Sequence, residues 1–72
     1  MIHEIWSEGF IATGQSEKAM FRGKYEGKTF KDSIINWIEK DKDAKQYVDL
    51  DRMTYWGCRL FNNESDARKS FG

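Results

Sequence analysis

The chain has 72 residues, of which 39% are apolar, 15% aromatic and 33% charged. Lysine and arginine total 12, as do aspartate and glutamate, so the formal net charge is zero; this excludes the global attraction that dedicated nucleic-acid and membrane-surface proteins carry. The length allows one domain, residues 1–72, and no apolar run approaches the roughly 18 residues of a membrane span.

Cysteine content and the composition of the first residues predict the compartment. Cys58 is the single cysteine, so no internal disulfide can form, whereas a secreted domain of this size usually needs several. The N-terminal segment carries Glu4 and Glu8 and lacks the basic and then apolar pattern of a signal peptide. We therefore expect a cytoplasmic protein.

Two extended segments are predicted in the first third of the chain. Residues 2–12 are rich in β-branched and aromatic side chains, and the neighbours Ile5 and Trp6 must point to opposite faces, as in a central strand. A turn at 13–16 leads to residues 19–26, which alternate between two faces. Gly23 inside this second strand predicts a bulge or a close approach by another side chain. The two strands are expected to pair as a hairpin.

A helical pattern follows Gly27 and Lys28. Thr29 is a suitable N-cap, and Asp32 places an acid in the first turn, where it favours the positive end of the helix dipole. We predict the main helix of the protein here. Its apolar face has the spacing of an α-helix and consists of Phe30, Ile34, Trp37 and Ile38.

The remainder of the chain predicts one more strand and one more helix. Residues 41–52 form a polar connector with a single helical turn at 43–48, and MTYWGCRLF, residues 53–61, is interpreted as a third strand. In residues 62–72 acids precede bases, which is typical of a short helix. The order predicts an α+β fold with a small antiparallel three-stranded sheet and the main helix packed on one face. Trp37 and Trp56 are assigned to the core.

The sequence GKYEGKT, residues 23–29, has only part of a phosphate-binding loop. Three residues separate its first glycine from Gly-Lys-Thr, where such a loop needs four. Lys28 and Thr29 at the helix start remain a weak candidate anion site. One histidine, His3, and one cysteine, Cys58, do not make a usual zinc site or a nucleophile–base pair. We predict no catalytic residue, no metal, no cofactor and no enzymatic activity.

A sheet that is covered by helices on one side leaves its other face open for binding. Residue types enriched at protein interfaces are expected there, which predicts a partner protein, with a homodimer as one form. The basic and aromatic residues of FRGKY also suit single-stranded nucleic acid, which is the alternative partner. An explanation without a binding role is that these are solvated strand residues whose long aliphatic stems cover the sheet. A small enzyme is the third and weakest alternative. The predicted binding residues are Met20, Arg22, Lys24, Tyr55 and Arg59.

Both ends of the chain carry a resemblance. The segments TYWGCRLFNNESDARKSFG, residues 54–72, and IWSEGF with ATG, residues 5–10 and 12–14, resemble small uncharacterised proteins encoded in bacteriophage genomes. The resemblance implies a compact accessory protein that binds a host or phage macromolecule in the host cytoplasm. It implies no active site that could be carried over to this chain.

Overall fold

The structure is a computed structural model that describes residues 1–12 and 15–71. Within these residues the chain forms strands and helices in the order β1 (Ile2–Ser7), β2 (Phe10–Ala12), β3 (Gln15–Glu17), β4 (Met20–Glu26), α1 (Phe30–Lys40), α2 (Lys42–Tyr47), β5 (Val48–Asp49), β6 (Thr54–Tyr55), β7 (Cys58–Phe61) and α3 (Glu64–Phe71).

The main sheet has five antiparallel strands in the order β4-β1-β7-β6-β5, and β2 pairs with β3 in a separate hairpin. The fold is α+β as predicted, but the predicted three-stranded sheet is wrong. The connector contributes the short strand β5, and residues 53–61 form two strands rather than one. The five strands form a curled sheet.

A tight turn splits the predicted third strand. Trp56 has a φ of 55° and Gly57 a φ of 77°, and Tyr55 pairs with Cys58 across them. Two central residues with positive φ make a type I′ turn, whose twist matches that of the flanking strands. The segment therefore folds back on itself as the β6–β7 hairpin, and Trp56 lies at its tip.

The predicted single strand over residues 2–12 is divided into β1 and β2, and β3 begins at Gln15 inside the turn predicted at 13–16, of which residues 13 and 14 lie outside the described residues.

Strand β1 pairs with β4, as predicted for the first two extended segments, and the pairing contains a bulge. Ile5 lies opposite Gly23 and Trp6 lies opposite Phe21, which leaves Arg22 as the extra residue of β4. Gly23 has a φ of 139°, and a Cβ atom there would lie 2.8 Å from Cε2 of Tyr25. The prediction from Gly23 is thus confirmed in both of its forms, because the position carries a bulge and a close side-chain approach.

Helix α1 is confirmed together with its N-cap. The Oγ1 atom of Thr29 accepts a hydrogen bond from the Asp32 N–H at 3.2 Å, and the helix ends before Asp41. Its apolar face packs on the sheet, and α2 adds Ala44 to the same core. The buried cluster consists of Ile5, Ile34, Trp37, Ile38, Ala44 and Leu60.

Helix α3, which confirms the predicted terminal helix, packs on the other face of the sheet. Side chains of β1 alternate, so that Ser7 shares the buried face of Ile5 while Trp6 points to the opposite face. Glu8 follows in the alternation of Trp6 and contacts Ser70 of α3. The sheet is therefore covered on the α1 side and, around Glu8, by α3, while the side chains that the structure describes leave the rest of the second face open.

Among the described residues, no helix has the length and apolar character needed to cross a membrane.

Candidate functional site

The bulge in β4 brings two of the five predicted binding residues together. The guanidinium carbon of Arg22 lies 4.7 Å from the centre of the Tyr55 ring, and Arg22 Nε donates a hydrogen bond to Ser7 Oγ at 3.0 Å. Because Ser7 is buried on the α1 side of the sheet, the Arg22 side chain lies on that side too. Without the extra residue, Arg22 and Lys24 would share a face, as the alternation in the sequence predicted.

Tyr55 is half-buried rather than displayed on an open face. Its ring centre lies 5.3 Å from that of Trp37, the largest side chain of the core. Strand β6 thus presents Tyr55 to the same side of the sheet as α1. The Arg22 guanidinium lies over the face of the ring, an arrangement that attracts the cation to the aromatic face.

Arg59 lies on the opposite face and is held by α3. Its backbone N–H donates to Glu8 Oε1 at 2.9 Å, its Nη2 donates to Ser70 Oγ at 2.6 Å, and its Nε lies 3.6 Å from Glu8 Oε2. Lys24 and Met20 are exposed on β4. The five predicted residues therefore do not form one continuous surface, because the bulge and α3 separate them.

The weak anion site at the helix start has little free hydrogen-bonding capacity. Thr29 uses its hydroxyl oxygen as the cap of α1, and the carboxylate of Asp32 shares the first turn with it. Lys28 is exposed. An anion bound here would lie close to a like charge, which opposes the attraction of the helix terminus.

An exposed set of aromatic rings surrounds the Arg22–Tyr55 contact. The rings of Tyr47 and Trp56 stack with their centres 3.9 Å apart and their planes at 23°. The rings of Tyr47 and Tyr55 also meet edge to face, with their centres 6.5 Å apart. The backbone N–H of Trp56 donates a hydrogen bond to the Tyr47 carbonyl at 3.1 Å. We call Arg22, Tyr47, Tyr55 and Trp56 the aromatic cluster. It continues inward to Trp37, so the exposed rings rest on the core.

Trp56 is the member that sequence reasoning misplaced. The residue assigned to the core is 63% exposed, because it lies at the tip of the β6–β7 turn. The available signal was the Trp-Gly pair between two short extended segments, which occupies the place that Asn-Gly usually takes in such a turn. The assignment of Trp37 to the core is confirmed, since that residue is 3% exposed.

Neither burial nor turn preference accounts for a tryptophan at position 56. A non-glycine residue in the left-handed region costs about 1–2 kcal/mol, and asparagine or glycine is the preferred residue there. The stack on Tyr47 recovers about 0.5–1.5 kcal/mol of this. A large ring is thus held exposed in a strained conformation, a combination that is concentrated at binding and active sites.

The segments that carry the aromatic cluster have charges of both signs. Helix α2 contributes Lys42, Asp43 and Lys45, all exposed, and the following turn contains Asp49 paired with Arg52 at 3.9 Å. A surface that tracks a phosphate backbone would be predominantly basic. The local balance therefore favours recognition through the rings over attraction of a polyanion.

Glu8 connects the second face of the sheet to α3, and its pKa reflects that position. Burial acts to raise the pKa of Glu8, but the Arg59 N–H, the Ser70 hydroxyl and the Arg59 charge outweigh it and lower the pKa below the ordinary 4.5.

In the described residues, no group of three or more His, Cys, Asp or Glu side chains could hold a metal ion. Burial, followed by the Glu8 charge, raises the pKa of the Cys58 thiol, which disfavours the reactive thiolate.

Lowering the pH should release α3. Because the pKa of Glu8 is lower in the folded than in the unfolded chain, its contribution to stability is present above pH 4.5 and is lost as the pH falls through the folded-state pKa. Glu8→Gln should therefore be less stable than the native chain at pH 7, and the difference should shrink as the pH falls below 4.5 and disappear below the folded-state pKa of Glu8. Urea unfolding across this pH range measures it.

Ser70→Ala provides the control for this experiment. It removes the hydroxyl that donates to Glu8 but leaves the carboxylate beside Arg59, so the acid dependence should shrink without disappearing. A Glu8→Gln variant with the same pH profile as the native chain would show that the carboxylate does not hold α3 in place.

Comparisons with protein-family models, with curated proteins and with solved structures find no match for this chain. Its function is therefore inferred from its own residues.

Proposed function

We propose that this protein is a small non-enzymatic accessory protein that binds a partner protein through the aromatic cluster. The observation that carries the proposal is Trp56, which is 63% exposed in a left-handed conformation and stacked on Tyr47. Tryptophan, tyrosine and arginine are the residues most enriched among interface hot spots. All three types meet here, and the binding residues predicted as Arg22 and Tyr55 are part of the cluster.

The arrangement supports tight contact because the rings are already ordered. Trp56 is fixed by its stack on Tyr47 and by its backbone hydrogen bond to the same residue. Little rotamer freedom would remain to be lost on binding, so more of the burial energy would appear as affinity. A hot-spot residue of this kind contributes about 2–4 kcal/mol to a complex.

The resemblance of the chain ends to bacteriophage-encoded proteins supplies the proposed setting. The partner would be a host or phage protein, and the complex would form in the host cytoplasm. A single cysteine suits a reducing compartment. Lys24 and Arg59, which lie on the opposite face of the sheet from Arg22 and Tyr55, are then separate contacts. Met20, which lies opposite Ser7 on the Arg22 side of the sheet, is then a peripheral contact.

Single-stranded nucleic acid is the second candidate, favoured by the exposed Trp56 ring and by the Arg22 cation over Tyr55 in the same cluster. Stacking of one base on an aromatic ring is worth about 1–3 kcal/mol. The balanced charges of α2 weigh against it. Titrating short single-stranded DNA and RNA while following tryptophan emission at several salt concentrations tests this candidate, because phosphate contacts make the affinity fall as salt rises.

Trp56→Asn is the sharpest test of partner binding. Asparagine suits the first position of a type I′ turn, so the variant should keep its fold while losing the exposed ring. We expect a pull-down from source cells to recover a partner with the native chain and to lose it with Trp56→Asn, a loss of at least about tenfold in affinity for about 1.4 kcal/mol.

The matched control is Gln46→Ala, which changes an exposed residue next to Tyr47 in sequence but outside the aromatic cluster. It should recover the same partner as the native chain. Equal recovery by the native chain and a folded Trp56→Asn variant would remove the aromatic cluster from consideration as the binding site.

A further inference from the structure

The open part of the second sheet face lies on the side of the sheet opposite to Arg22 and Tyr55 and has its own composition. Residues of β1 that alternate with the buried Ile5 and Ser7 point to it, together with the residues of β4 that lie opposite them. We call this surface the outer face. It consists of Ile2, Glu4 and Trp6 of β1 and of Glu26, Lys24 and Phe21 of β4.

The centre of the outer face is apolar and incompletely covered. The rings of Trp6 and Phe21 contact each other with their centres 5.1 Å apart, and Phe21 is 43% and Ile2 65% exposed. Trp6 Nε1 donates to Glu4 Oε1 at 2.8 Å. Since the indole N–H already has an acceptor inside the chain, burying Trp6 under another molecule would leave no donor unsatisfied.

One acid and one base lie beside these rings. Glu4 and Lys24 are direct neighbours across the β1–β4 ladder. In the part of the chain that the structure describes, the ion pairs do not include Lys24. Glu26, the other acid of the outer face, is paired with the N-terminal ammonium at 2.9 Å. Glu4 and Lys24 are therefore the carboxylate and the ammonium that the outer face offers at one level of the sheet, next to an apolar centre.

We propose that a second copy of this chain covers the outer face in a two-fold symmetric dimer. A two-fold interface brings the same surface of both copies together, so it needs a surface that is complementary to itself. Equal and opposite charges beside an apolar centre meet that need. A partner whose surface carried charges of only one sign would attract either Glu4 or Lys24 and repel the other. The zero net charge also removes long-range repulsion between copies.

The charges select one orientation of the two-fold axis. An axis parallel to the strands, between β1 and β4, places Glu4 over the partner's Lys24 and Trp6 over the partner's Phe21. An axis in the plane of the interface and perpendicular to the strands, at the level of Glu4, would place the Glu4 carboxylate of one chain over the Glu4 carboxylate of the other. Like charges opposed in this way are unfavourable, so the dimer has the axis parallel to the strands.

A measurement of molecular mass in solution tests the dimer, by light scattering after size exclusion or by sedimentation equilibrium. The native chain should show twice the mass of the 8.5 kDa chain and dissociate on dilution. Glu4→Lys and Lys24→Glu should each be monomeric. In a dimer of either variant, positions 4 and 24 would carry the same charge, so like charges would face each other at both of the symmetric contacts. Phe21→Ala, which changes no charge, should also weaken the dimer.

Mixing the two charge variants gives the decisive result. A mixed pair places the lysine at position 4 of one variant over the glutamate at position 24 of the other, and the native Lys24 over the native Glu4. The mixture should therefore recover the two-chain mass that neither variant shows alone, which improved folding of a monomer does not explain. Circular dichroism of each variant verifies that it is folded.

A native chain with the mass of one chain at every concentration would overturn the dimer, as would a mixture of folded charge variants that stays monomeric. Binding of a different protein to the outer face of a monomeric chain would overturn it as well. Trp56→Asn should leave the dimer intact, so this result is independent of partner binding by the aromatic cluster.

Discussion

Replacing Trp37 by alanine should remove a large part of the stability of this domain. Trp37 is 3% exposed, packs in the buried cluster with Ile5 and Leu60 and supports the ring of Tyr55. Truncating a buried aromatic residue to alanine costs about 3–5 kcal/mol, and a domain of 72 residues has a total stability of about 4–11 kcal/mol. Urea unfolding followed by circular dichroism measures the loss.

Trp56→Ala is the matched control because it removes the same side chain from an exposed position. It should change the free energy of unfolding by about 1 kcal/mol or less, since surface substitutions rarely do more. Similar losses at the two positions would show that Trp56 is part of the core, and would contradict its place at the hairpin tip.

Gly23→Ala should be the most disruptive of the conservative changes in the sheet. A φ of 139° is a conformation that residues with a side chain rarely adopt, and holding one there costs about 1–3 kcal/mol. The new Cβ would also lie 2.8 Å from the Tyr25 ring. Because the bulge at this position directs Arg22 towards Tyr55, the loss should be accompanied by altered NMR signals of the Tyr55 ring.

Gly57→Ala separates strain from crowding. Gly57 has a φ of 77°, but a Cβ atom there would have no neighbour within 4 Å, so only the backbone cost of about 1 kcal/mol applies. Gly23→Ala should be clearly the less stable of the two variants in urea. A smaller loss at Gly23 than at Gly57 would mean that the bulge adapts to a side chain.

Dimerisation through the outer face would affect how the aromatic cluster binds a partner protein. The aromatic cluster faces outward at the β6–β7 turn, while the outer face belongs to β1 and β4 at the other side of the sheet. A dimer through the outer face would carry two aromatic clusters. If the partner protein presents two sites within reach, the dimer would bind it more tightly than one copy could, without any new contact.

Local patterns explain which elements could be predicted. Helix α1 was predictable because its apolar spacing and the Thr29 cap involve only neighbouring residues. The β1–β4 hairpin and the special role of Gly23 were also visible, since alternation and a glycine inside a strand are local signals. The β6–β7 hairpin was not, because Trp-Gly lacks the usual turn residue and the surrounding segment alternates as a single strand would.

The candidate site depended on interactions between distant parts of the chain. Arg22 and Tyr55 belong to strands that are separated by two others in the sheet, and they meet through the bulge and the curl of the sheet. Arg59 was expected beside them, but a helix that follows it in sequence folds back and holds it on the opposite face. Residue types predicted an aromatic and basic surface, and the pairing register decided which residues form it.

By itself, the sequence determined that helices and strands are mixed, but not the predicted three-stranded sheet. It also determined the main helix with its cap, the terminal helix and the glycine at the bulge, because each follows from contacts within a few residues. Only the tertiary structure decided the number of strands, the exposure of Trp56 and the separation of Arg22 from Arg59. The physical reason is that a single extra residue or a two-residue turn reverses which face every later side chain of a strand occupies. Such reversals are set by pairing with distant strands rather than by local composition.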